Sequence, residues 1–124
     1  MKILVFGAGV LGCNLARNFF RAGKDVTLLA RGNWAAEIQK NGLRIKDKFL
    51  PRISVSRIPV VTELKPDDAY DVIFVVLRYT QLDSILETLR ANPAKIIVCE
   101  TDAGRREFVK EHYPQVEVVD PQAA

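Results

Sequence analysis

Ile3-Leu4-Val5-Phe6-Gly7-Ala8-Gly9-Val10-Leu11-Gly12 decides the fold of this chain, because an apolar run breaks into three glycines spaced G-x-G-x-x-G and then resumes with the period of a helix. That spacing describes a phosphate-binding turn. Gly7 suits the tight turn off a strand, Gly9 has no Cβ to hold a pyrophosphate away from the backbone, and Gly12 lets the following helix lie close on the strand. The free N–H groups and positive dipole end of that helix, with Ala8, Val10 and Leu11 between the glycines, then face the phosphates.

Glycines also mark ordinary loops, so the flanking sequence has to carry the assignment. Lys2 to Phe6 reads as a buried strand, Val10 to Ala22 as a helix with Leu11, Leu15 and Phe19 on one face, and Gly23 as its C-terminal cap. Val26 to Ala30 is a second β-prone run, and the 30 residues from Lys2 to Arg31 suit one βαβ unit. The residue at the end of the second strand chooses the cofactor. An NAD site usually carries Asp or Glu there for the ribose 2′-hydroxyl, whereas NADP brings a phosphate that an acid repels and an Arg pairs. Ala30-Arg31-Gly32 stands here, so Arg31 is the candidate for the 2′-phosphate of NADP(H), with Asn33 near enough to add a hydrogen bond.

The 124 residues suit one domain, 1–124, with 48% hydrophobic and 27% charged residues, the mark of a globular chain. No apolar run approaches the roughly 20 residues of a membrane span and no secretory signal precedes Ile3, so a cytoplasmic protein is expected, with no membrane partner. Two unclustered cysteines, Cys13 and Cys99, and one histidine suggest neither a disulfide scaffold nor a metal site. The net charge of +3 is split: residues 1–57 carry +8 and residues 58–124 carry −5. A basic cofactor half favours a polyanionic dinucleotide. Its Arg and Lys residues lack the aromatic interleaving of a nucleic-acid surface, so no nucleic-acid partner is expected.

Further along, Asn33 is expected to cap a helix from Trp34 to Lys40 with Trp34 and Ile38 facing inward, stopped by Asn41-Gly42. Leu43 to Ile45 and Ile53 to Val55 alternate apolar and polar residues as half-buried strands do, which predicts a small hairpin inserted into the fold. Ile58 to Val61 reads as a short strand, and Asp71 to Leu77 as the central, doubly covered one. Thr80 with Asp83 resembles a capping box before a helix carrying Leu82, Ile85, Leu86 and Leu89. Lys95 to Cys99, a helix from Asp102 to about Tyr113, and Val116 to Val119 complete the chain. The order predicts an α/β Rossmann-type, doubly wound and mainly parallel sheet with helices on both faces, its ligand crevice beyond the strand ends at Gly7 to Gly12, Arg31, Leu77 to Thr80 and Glu100 to Asp102.

Three segments, Gly7 to Gly12, Gly23 to Gly32 and Asn41-Gly42-Leu43-Arg44-Ile45, resemble in order and spacing the amino-terminal domain of the ketopantoate reductase (2-dehydropantoate 2-reductase) family. The resemblance covers roughly residues 1 to 100. It implies an NADPH-dependent reduction of a 2-keto acid to a 2-hydroxy acid on the way to pantothenate. It also implies that Gly7, Gly9 and Gly12 hold the pyrophosphate, Arg31 the 2′-phosphate, and Leu77 and Arg78 a further part of the cofactor site. The family commonly has Lys where Arg78 stands, and Asn-Gly where this chain has Glu100-Thr101-Asp102, which sets an acidic stretch beside an anionic cofactor. Family members also carry a second, helical domain that supplies the catalytic lysine and the substrate carboxylate contacts.

No residue of this chain is assigned a catalytic role, since no Tyr-x-x-x-Lys pair is present, Tyr79 lacks an evident activating partner, and His112 reads as a surface helix residue. The chain alone is therefore expected to be an incomplete enzyme that meets a small keto acid only when a second domain is supplied, and a homodimer is expected. Two other readings share the fold: a stand-alone nucleotide sensor, which should carry an acid in place of Arg31, and a non-catalytic remnant kept for protein contacts.

Overall fold

The computed structural model describes residues 1–46 and 52–121. Its main sheet has six strands in the order β5-β2-β1-β6-β7-β8, all parallel, where β1 is Lys2–Phe6, β2 Asp25–Leu29, β5 Val60–Val61, β6 Val72–Val75, β7 Lys95–Cys99 and β8 Glu117–Val119. Helices α1 (Val10–Arg21), α2 (Gly32–Asn41), α3 (Leu82–Arg90) and α4 (Ala103–His112) connect them. β3 (Leu43–Lys46) and β4 (Ile53–Ser56) form a separate antiparallel hairpin. This is the doubly wound α/β architecture with an inserted hairpin.

Strand β1 shows how the layers form. Successive side chains of a strand point to opposite faces, and Ile3 and Val5 join Cys13, Ala16, Val26, Leu28 and Ile38 in one core, whereas Leu4 and Phe6 join Ile73, Val75, Leu82, Leu89 and Val109 in the other. Both faces are covered, which explains the unbroken apolar runs of the central strands. β1 pairs with β2 through Ile3↔Val26 and with β6 through Ile3↔Val72, so the chain reverses winding direction beside β1. Ligand crevices open at the carboxyl edge of such a switch point.

Several local expectations are corrected. On α1 the deepest residues are Gly12, Cys13 and Ala16, with Leu11, Leu15 and Phe19 only half-buried at the margin, because small residues let the helix approach the sheet. Asn33 does not cap α2. Gly32, at φ 58°, turns the chain directly out of β2, which puts Arg31 at the N-cap and Asn33 inside the helix. Trp34 does not face inward but is 43% exposed, and Ala35 and Ile38 fill the core instead.

The hairpin inverts the expected face of β4. Leu43 is buried opposite Ser56 and Ile45 lies opposite Ser54, so pairing register turns the serines inward and leaves Ile53 and Val55 57% and 53% exposed. The Thr80–Asp83 capping box does not form. Tyr79–Gln81 makes a 3₁₀ turn closed by the Arg78 N–H on Gln81 Oε1 at 3.2 Å, while the Asp83 carboxylate accepts from the Tyr113 hydroxyl across to α4. Asp102 does cap its helix, accepting from the Arg105 N–H at 2.9 Å.

Candidate nucleotide-binding site

The three glycines of the turn do three different things. Gly7 sits at φ 126°, and a Cβ there would stand 2.4 Å from the Val76 carbonyl oxygen. A Cβ on Gly12 would stand 1.9 Å from the Gly7 carbonyl oxygen, so this residue sets how closely α1 abuts β1. Gly9 has ordinary extended dihedrals (φ −77°, ψ −171°), and a Cβ there would have no heavy atom within 4 Å. Only Gly9 faces open space, the side from which a ligand can reach the backbone. The first helical bond, Cys13 N–H to Gly9 O at 2.9 Å, leaves the amides at the start of α1 without partners inside the helix.

Three hollows border the turn: one of about 350 Å³ lies between Gly9, Cys13, Trp34 and Ile45, and the other two meet at Leu77. The first of these two, of about 270 Å³, is lined by Gly7, Ala8, Arg31, Trp34, Leu77 and Gln81 among others. The second, of about 210 Å³, is lined by Gly9, Val10, Leu11, Gly12, Leu77, Arg78 and Glu100 among others. Nine of the ten residues singled out from the sequence therefore converge on one edge of the sheet, and the tenth, Asn33, lines none of these hollows. Arg31 is exposed and has no ion-pair partner among the described residues; no carboxylate lines the hollow it shares with the glycine turn, whereas Glu63 lines a further hollow on its other side.

The acidic stretch after β7 does not arrive as bare negative charge. Glu100 Oε1 lies 3.8 Å from Arg105 Nη1, and its Oε2 accepts from the Thr101 N–H at 3.1 Å. Arg106 donates to the Glu100 and Thr101 carbonyls at 3.0 and 2.8 Å and pairs with Asp120 at 3.4 Å. These guanidinium groups, one turn into α4, offset the repulsion that the sequence alone suggests. Both cysteines are free. Burial pushes the Cys99 thiol up to about 11. It also raises that of Cys13, where the nearby Trp34 indole pulls the other way.

His112 stays outside the site, with Nδ1 2.8 Å from the Phe108 carbonyl oxygen and its ring stacked on Phe108. The side chain of Tyr79 lies outside the described residues. What the sequence reading missed is Trp34, whose indole N–H donates to the Ala8 carbonyl at 2.9 Å, and Gln81, which lines the first hollow. Trp34 stands on the first turn of α2 just after the N-cap Arg31, and the two line the same hollow. Among the described residues no group of three or more His, Cys, Asp or Glu could hold a metal, and no helix is long and apolar enough to cross a membrane.

A family model described as ketopantoate reductase PanE/ApbA matches residues 3–119. The chain belongs to the ketopantoate reductase family. It is 32% identical over 101 residues to the 2-dehydropantoate 2-reductase of Pyrococcus horikoshii, covering 82% of this chain and 31% of that protein. It is 34% identical over 92 residues to the 2-dehydropantoate 2-reductase of Mesorhizobium japonicum, covering 72% and 27%. The chain thus spans less than a third of the length of these curated relatives. Its fold is similar to that of a D-mandelate dehydrogenase solved with NADH and anilino(oxo)acetate, at a TM-score of 0.76 and 20% identity over 97% of this chain and 40% of that one. The ketopantoate reductase family is one of dinucleotide-binding oxidoreductases, and this chain corresponds to its amino-terminal domain.

Proposed function

We propose that this chain is the NADP(H)-binding domain of a ketopantoate-reductase-type enzyme that reduces a 2-keto acid to a 2-hydroxy acid, working with a second domain. The observation that carries the cofactor choice is Arg31. It stands at the end of β2, on the rim of a hollow shared with the glycine turn and lined by no carboxylate. A 2′-phosphate placed in that hollow meets a guanidinium fork and no lining carboxylate, Glu63 lying in the neighbouring hollow. The start of α1 and the open side of Gly9 receive the pyrophosphate. Leu77 and Arg78 border the hollow beyond it, where the nicotinamide end extends.

Bound NADPH supplies the hydride, and the residues of this chain bind and orient it. Arg78 gives the second hollow a fixed positive charge suited to a keto-acid carboxylate. The forming alkoxide also needs a proton donor. Of the polar groups lining this hollow, Glu100 is engaged by Arg105 and Thr101, and Cys99 is buried. A second domain supplies the donor in this reading, with catalysis in the cytoplasm. Self-association into a homodimer belongs to the same proposal, with the exposed Ile53 and Val55 of β4 as contact, and sedimentation of Val55→Lys against the parent tests it.

The cofactor assignment is tested by calorimetric titration with NADPH and NADH, the latter being the cofactor held by the D-mandelate dehydrogenase. NADPH is expected to bind more tightly, and Arg31→Ala to erase most of the difference. A lost charge-assisted contact costs about 1.5–3 kcal/mol, roughly ten- to a hundredfold in affinity. Equal affinities in the parent chain would overturn the assignment.

A further inference from the structure

The peptide joining Ala8 to Gly9 lies at the centre of the turn, flanked by glycines, and so has little side-chain bulk to fix its orientation. Its carbonyl oxygen is gripped from two sides. The indole N–H of Trp34 on α2 donates to it at 2.9 Å, and the Cys13 thiol on α1 at 3.3 Å. A trans peptide is planar, with its C=O and N–H pointing in opposite directions. Holding the Ala8 oxygen toward Trp34 and Cys13 therefore aims the Gly9 N–H away from them, and Gly9 is the one glycine of the turn with open space around it. Trp34 is also the only tryptophan in the chain, and at 43% exposure its position is not explained by core packing.

We infer that Trp34 is a positioning residue for diphosphate binding: its indole N–H, seconded by the Cys13 thiol, locks the Ala8–Gly9 peptide in the orientation that presents the Gly9 amide to the pyrophosphate. The inference rests on the proposed dinucleotide site but is indifferent to the choice between NADP and NAD. Glycine-flanked peptides rotate at little cost, so without the clamp the turn would sample orientations that offer a phosphate a carbonyl oxygen in place of an amide.

The test is Trp34→Phe, which keeps an aromatic ring while removing the N–H donor along with part of the indole's bulk. In the full 124-residue chain, affinities for NADPH, NADH and ADP should fall together by roughly two- to tenfold, the worth of one hydrogen bond. Adenosine 2′-monophosphate, which has no diphosphate, should bind as it does to the parent. In a ¹⁵N-labelled sample the free variant should show an exchange-broadened Gly9 amide where the parent shows one sharp signal. Cys13→Ala, which removes the second donor, should repeat the selective loss at smaller size and serves if Trp34→Phe folds poorly. Parent-like diphosphate affinity in both variants, or an equal loss for adenosine 2′-monophosphate, would overturn the inference. If Arg31→Ala leaves NADPH binding intact while Trp34→Phe weakens the diphosphates alone, the NADP assignment falls and the positioning role stands. If the parent binds no dinucleotide at all, both fall.

Discussion

Two glycines three positions apart should respond in opposite ways to added side chains. At Gly9 the backbone already has dihedrals that valine accepts, and a Cβ meets nothing within 4 Å. Neither residue offers a side-chain cap to α1, so the change in folding stability of Gly9→Val should stay within about 1 kcal/mol. The isopropyl group nevertheless fills the open side of the turn. Displacing a phosphate from even one or two charge-assisted amide contacts costs about 1.5–3 kcal/mol each, so NADPH affinity should fall at least tenfold and as much as roughly twenty-thousandfold. Gly12→Ala places one methyl 1.9 Å from the Gly7 carbonyl oxygen, a backbone atom that no rotamer change can avoid. Relief requires moving α1 off β1, a distortion costing about 3 kcal/mol or more and lowering the melting temperature by roughly 10 °C in a domain of this size. Circular-dichroism melts and calorimetric titrations on the same preparations separate the two outcomes. A Gly9→Val chain that binds NADPH like the parent, or a Gly12→Ala chain that melts like the parent, would refute the division of labour within the turn.

Asn92 is buried, donating to the Lys65 and Asp68 carbonyls at 3.0 and 2.8 Å and accepting from the Ala94 N–H at 3.0 Å, so Asn92→Ala is expected to cost about 2–4 kcal/mol in denaturant unfolding with little effect on cofactor affinity. The Cys99 thiol is held protonated in the fold, at about 11 against an ordinary 9.0. The folded state therefore retains a proton that the unfolded chain gives up, and the stability contributed by Cys99 is present below pH 9 and lost between pH 9 and 11. Cys99→Ala should show a shallower stability decline than the parent across that window in pH-dependent melts. Mixed with ketopantoate and saturating NADPH, the 124-residue chain is expected to show no substrate-dependent cofactor oxidation, since positioning and acid catalysis together account for many orders of magnitude in rate. Steady turnover that disappears in Arg78→Ala would place the catalytic apparatus within this chain.

The framework was legible because its signals are local and agree with one another. The glycine turn, the apolar strands and the Asp102 cap each depend on residues within a few positions, and all point to one winding order. Where the sequence misled, a distant partner had intervened. Asp83 looked like half of a capping box until the Tyr113 hydroxyl, 30 residues away, claimed its carboxylate. Ile53 and Val55 carried the apolar alternation of β4, yet Leu43 on the opposing strand dictated which face turned inward. At the candidate site, the place of Arg31 was visible because it depends only on where β2 ends. Trp34 was not, because the acceptor of its N–H lies 26 residues earlier, in a turn whose shape emerges only once α2 is docked.

The central position of β1 carries a consequence for biosynthesis. Its partner on one side, β2, follows within a single βαβ unit, but Ile3 on the other side pairs with Val72, which leaves the ribosome 69 residues later. At roughly 5–20 residues per second, that edge of a five-residue apolar strand waits about 3–14 seconds for its neighbour. A nascent chain paused between Leu29 and Val72 would thus display an open hydrophobic strand edge. Slowing translation within this interval should raise chaperone capture and aggregation, whereas the same delay after Cys99, once β6 and β7 have both emerged to pair, should matter less.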